Sequence, residues 1–145
     1  MYYPIQAPYL LDPLFARYVD YSETVVESLA DFVICIWSME AKTAAQGEVQ
    51  HVILVDGSID LVVDFDGRAI VYAGMRETKF DDVIRVPERF FGARLKPGAF
   101  AALTGRDAEE AMDRMLPLQE LDPDFDLEAF LRYRLKRRRR PLLRI

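Results

Sequence analysis

The sequence is poor in the residues that carry most small-protein chemistry, with one cysteine, one histidine and one tryptophan in 145 residues. A lone Cys35 cannot close an intrachain disulfide, and His51 by itself is far short of the converging nitrogen, sulfur and carboxylate ligands of a zinc or iron site. Long apolar runs are missing too. The longest, Phe32 to Trp37, is much shorter than the roughly 20 residues needed to cross a bilayer. The opening MYYPIQAPYL has neither the basic stretch nor the apolar core of a secretory signal. The seven glycines never cluster into a phosphate-binding loop. These absences predict a soluble, cytoplasmic protein without metal or other cofactor, and not an enzyme.

What is present is enough for a core. Hydrophobic residues make up 51% and charged residues 30% of the chain, and the length suits about one domain. The net charge of −5 hides a division. Residues 1–131 hold all 24 acidic groups and 11 basic ones, a balance of −13, while residues 132–145 hold eight basic groups and no acid. Such a body repels the phosphate backbone that dominates nucleic-acid affinity. A DNA role must therefore come from the tail or from sequence outside these residues.

Short β-branched and aromatic runs separated by turn signals predict seven strands, over residues 18–26, 32–40, 49–55, 58–65, 68–74, 79–86 and 89–95. FVICIW, apolar on both faces, reads as a central strand. In SIDLVVDFDG, Ile59, Leu61, Val63 and Phe65 fall on one face, and Ser58, Asp60, Val62 and Asp64 on a wetter one. Asp66-Gly67 predicts a two-residue type I′ hairpin that pairs Phe65 with Arg68, Val63 with Ile70 and Leu61 with Tyr72.

After Leu95 the pattern changes. Lys96-Pro97-Gly98 breaks the sheet, and a short helix over Ala99 to Leu103 ends before Gly105. A second helix is predicted from Asp107, its cap, to Met115. A third follows Asp126 and carries Leu127, Phe130, Leu131 and Leu135 as one apolar stripe, stopped by Pro141 and set to pack on the sheet or on a partner protomer. The expected class is α+β, mainly β: a β-barrel or sandwich followed by two or three C-terminal helices. Residues 1–121 form the domain and 122–145 a basic amphipathic linker helix.

Several chemical readings fail on the residues. Aligning Asp64, Asp66 and Gly67 to a calcium loop leaves Val62 and Ala73 where its terminal ligands belong. Cys35 between Ile34 and Ile36 reads as a small buried residue, not a nucleophile. Trp37, His51, Tyr72 and Arg94 have apolar bodies or stems with polar tips on predicted strands, which makes them the candidate ligand-pocket residues. The basic end RYRLKRRRRPLLRI suits a helix terminus whose cations favour its dipole, a nucleic-acid contact, or a linker to a further domain.

HVILVDGSIDLVVDFDG at residues 51–67, then VYAGM, then GARLKPGAFAALTGRDAEEAMDRMLPLQEL at 92–121 together resemble the amino-terminal domain of one branch of AraC-family transcription regulators. Trp37, His51, Asp56-Gly57, Asp60-Leu61, Gly74, Gly92, Arg94, Pro97-Gly98-Ala99, Asp113, Pro117-Leu118 and Glu120-Leu121 carry the match. Val55 replaces that branch's proline and Leu95 its aromatic residue. The resemblance implies a cupin-like barrel that senses a small-molecule effector, dimerises, or does both. It also implies that promoter DNA is bound only through a helix-turn-helix half lying beyond these residues. The competing reading is a small cupin-type isomerase or lyase using the barrel cavity, which needs titratable groups converging there.

Overall fold

Two-residue alternation of apolar side chains builds most of the molecule. In a computed structural model, which describes residues 19–41, 48–53, 58–76, 80–85 and 89–138, the strands are β1 (Val19–Thr24), β2 (Val33–Ala41), β3 (Glu48–Ile53), β4 (Asp60–Asp64), β5 (Ala69–Ala73), β6 (Phe80–Arg85), β7 (Arg89–Leu95) and β8 (Met115–Pro117). The first seven coincide with the predicted segments to within two residues at either end. Tyr18, Leu54, Val55, Lys79 and Val86, at predicted strand ends, lie outside the described residues.

All but two of the described strands form one antiparallel sheet in the order β1-β2-β7-β4-β5-β8, and β3 pairs with β6 separately. This is the mainly-β α+β class expected, and β2 lies between β1 and β7, interior to the sheet but second from its edge. Along β2, Cys35, Trp37 and Met39 are buried, whereas Ser38 and Glu40 between and beyond them are exposed.

The β4–β5 hairpin keeps the predicted pairs Val63 with Ile70 and Leu61 with Tyr72. Its turn is different. The last pair is Asp64 with Ala69, so Phe65 and Arg68 belong to a four-residue connection, and the positive φ of 52° falls on Arg68 rather than on Asp66 or Gly67. A type I′ turn is thereby excluded. The Asp64 carboxylate explains the change: Oδ1 accepts from the backbone N–H groups of Asp66 at 3.1 Å and Gly67 at 2.8 Å, a local alternative to the tighter turn.

Helix α1 (Ala99–Thr104) sits where predicted and ends at Gly105, whose φ of 69° suits the left-handed position that closes a helix. The predicted helix from Asp107 to Met115 is not formed. Asp107 does cap a turn, but a 3₁₀ turn over Ala108–Ala111, and the chain then enters β8 along the edge of β5. Backbone bonds from Asp113 N–H to Met75 at 2.7 Å and from Gly74 N–H to Arg114 at 3.0 Å draw it there, so sheet-edge pairing prevails over local helical spacing. A short α2 (Leu118–Leu121) follows, and then α3 (Leu127–Arg138), with Ala129 N–H on the predicted cap, Asp126 Oδ1, at 2.9 Å. Pro141 lies outside the described residues.

The core lies on both faces of the large sheet. One face buries Val19, Cys35, Trp37 and Met39, with Tyr21, Val62 and Phe90 against them. The other buries Ile59, Tyr72, Leu95 and Leu116 against Ala99 and Phe100 of α1, and Val63 and Ile70 against Leu131 of α3. Leu127 and Phe130 pack beside Leu131, so the predicted stripe seats on the chain's own sheet; the side chain of Leu135 is outside the described residues. No described helix is long and apolar enough to cross a membrane.

Candidate functional site

Among the described residues, Arg94 is the one charged residue in the core, with 1% of its surface exposed. Alternation along β7 explains its position: Gly92 and Arg94 face the Trp37 side, and Leu95 the helix side. The register then assembles a polar cluster. Cys35, Arg94 and Asp60 are cross-strand neighbours on β2, β7 and β4, and Glu23, Trp37, Gly92 and Val62 form the adjoining row.

Gly92 makes the arrangement possible. A Cβ there would run into the five- and six-membered rings of Trp37, so the indole lies on bare backbone of β7. From that position its Nε1 donates to Asp60 Oδ2 at 3.0 Å. Tyr21 stacks beside it, centroids 6.4 Å apart and rings inclined by 23°, and its hydroxyl donates to Glu23 Oε1.

Three charges meet under these rings. Arg94 Nε stands 3.6 Å from Asp60 Oδ1, and Nη1 is 3.4 Å from Glu23 Oε1 and 3.8 Å from Cys35 Sγ. Burial alone would favour a neutral guanidinium, but Asp60, then Cys35 and Tyr21, outweigh it and hold Arg94 firmly protonated. The Tyr21 phenol is pushed well up, first by burial and then by its bond to Glu23. Neither Arg94 nor Tyr21 is poised to exchange a proton near neutral pH. Its closed end is Glu23, with 4% of its side chain exposed; its open end is Asp60, with 18%.

Residues 26–117 match the model of a family described as a domain of unknown function, DUF6597. The chain belongs to that family. No curated protein and no solved structure matches it. Within the DUF6597 region lie Cys35, Trp37, Asp60, Gly92 and Arg94, whereas Tyr21 and Glu23 on β1 and the whole of α3 fall outside it. The site is thus a family sheet closed by a flanking strand.

Of the four residues predicted to line a pocket, Trp37 and Arg94 come together, bridged by Asp60. Tyr72 does not join them. It is on the opposite face, edge-on to Phe100 at 5.2 Å, with its phenol pushed up by burial and then by Asp122. His51 pairs with Asp82 in the β3–β6 ribbon, and its side chain lies outside the described residues. Sequence reasoning missed Asp60, assigned to the wetter face, together with Tyr21, Glu23 and Gly92. Arg94 was the available signal, because a buried arginine demands carboxylates on the facing strands. Among the described residues there is no group of three His, Cys, Asp or Glu able to hold a metal.

Proposed function

We propose that this DUF6597 domain is the regulatory module of an AraC-type transcription regulator, sensing a small effector or pairing with a second copy. Promoter DNA would be bound by a helix-turn-helix half outside these residues. The sequence resemblance across roughly residues 18–121 supports the family reading. The observation that carries the sensing role is the buried Arg94 cluster, which links side chains from β1, β2, β7 and β4. A polar ligand reaching the Asp60 end would compete with Trp37 Nε1 for the carboxylate, and any change in that bond passes to Arg94 and Glu23. α3, seated on the other face of β4 and β5, offers a route from the sheet to whatever follows it.

The decisive test is the natural reading frame beyond Ile145 together with a ligand screen by thermal shift. The expected outcome is helix-turn-helix sequence downstream and at least one small polar compound that raises the melting temperature of the parent but not of Asp60→Asn. A metal-dependent turnover by the purified chain would overturn this reading in favour of the cupin-type isomerase or lyase.

A further inference from the structure

The charge division of the chain coincides with a structural one. The first turns of α3 are fixed: Leu131 is buried against Val63 and Ile70, Asp126 caps the start, and Glu128 pairs with Arg68. From Arg132 on, the same helix carries Arg132, Arg134, Lys136, Arg137 and Arg138 without one acid. Of these only Arg132 has an acid four residues before it, and the later cations repeat at i,i+4 as Arg132 with Lys136 and Arg134 with Arg138, a spacing at which like charges destabilise a helix. Such a helix end calls for external anions.

We propose that this basic end of α3 binds the phosphate backbone of duplex nucleic acid without reading its bases. Five cations over the seven residues Arg132–Arg138, at about 1.5 Å of rise per residue, place one positive charge per roughly 2.1 Å of helix axis. Duplex DNA presents one negative charge per about 1.7 Å, so the linear charge densities are close. The run is arginine apart from Lys136, which favours forked bonds to phosphate oxygens. The rest of the chain, with its balance of −13, repels the same backbone and confines contact to this end. A duplex fits better than a lipid surface. A membrane-lying helix must bury an apolar face, and here Leu127, Phe130 and Leu131 are already spent on the sheet. The proposal is independent of the regulatory reading, because neither an effector nor a downstream domain enters its test.

That test measures binding of the 145-residue chain to two labelled duplexes of unrelated sequence and to phosphatidylserine vesicles over a salt series. The expected result is equal affinity for both duplexes, falling with log salt at about 0.9 per phosphate contact. Changing Arg134→Gln, Lys136→Gln, Arg137→Gln and Arg138→Gln together should weaken binding between about 10-fold and about 1,000-fold near 0.1 M salt and flatten the salt slope. Its melting temperature should stay that of the parent, separating lost contact from lost fold. Binding that survives the fourfold change, a strong preference for one duplex, absence of duplex binding at low salt, or capture by vesicles alone would each overturn the proposal.

Discussion

Each face of the large sheet buries a core, but the two cores are built on different principles. The face toward α1 and α3 is hydrocarbon, with Ile59, Val63, Ile70, Leu95 and Leu116 meeting Phe100 and Leu131. There, stability follows from area removed from water and from fit, and either can be altered by degrees. The opposite face holds Arg94, Glu23 and Asp60 beside Tyr21 and Trp37. Charges there are tolerated only as a set, because each offsets the desolvation of another. One face is therefore graded in its response to change, and the other is close to all-or-none.

The sharpest way to break this comparison is to remove one member of the set. Arg94→Met leaves the enclosed Glu23 and the partly buried Asp60 without their cation and should cost about 3–5 kcal/mol of unfolding free energy. Replacing all three, as Arg94→Met, Asp60→Leu and Glu23→Leu, should recover part of that loss, because an apolar set of similar volume carries no charge-desolvation penalty, while Trp37 Nε1 and the Tyr21 hydroxyl lose their acceptors. Urea denaturation of both variants decides the matter. A triple variant as unstable as the single one would show that the charges themselves hold the sheet. A stable triple variant deaf to every ligand of the parent would mark the set as functional.

Most of the architecture is legible in the sequence because β-branched alternation and turn residues are local signals. The seven strands and the Leu61–Tyr72 and Val63–Ile70 register follow from them. β8 is not legible, since Met115-Leu116-Pro117 is a strand only by virtue of the free edge of β5 beside it. The same limit hides the site. Asp60 on an alternating strand looks solvated, and only β7 between β4 and β2 brings Arg94 and Trp37 onto it. Tyr72 groups with them by residue type alone, because a polar tip says nothing about which face of its strand is inward.

Tyr21 and Tyr72 allow a finer comparison, one on each face, both with phenols pushed up first by burial. Unfolded tyrosines ionise near pH 10, whereas these remain protonated above it in the folded chain. As pH rises past about 10, the unfolded chain binds fewer protons than the folded one, so stability is full below that value and falls above it. Tyr21→Phe should flatten the fall more than Tyr72→Phe, because Glu23 accepts directly from the Tyr21 hydroxyl, while Tyr72 feels Asp122 only through its charge. Denaturant midpoints through the alkaline range check this. Equal slopes in the parent and Tyr21→Phe would exclude that hydroxyl.

The smallest effect separates the same chemistry in two settings. Arg68 pairs with Glu128 where 48% and 59% of the side chains are exposed, pinning the start of α3 to the hairpin turn. A double-mutant cycle on Arg68→Ala and Glu128→Ala should give a coupling of about 0.2–1 kcal/mol, decaying with salt as exposed pairs do. The corresponding cycle on Arg94 and Asp60, 1% and 18% exposed, should give a larger coupling that salt barely touches. Both pairs are arginine with carboxylate, and the buried one stands at 3.6 Å. If the exposed pair proved the stronger, water exclusion would not be what gives the Arg94 set its weight, and the contrast between the two faces would rest on packing alone.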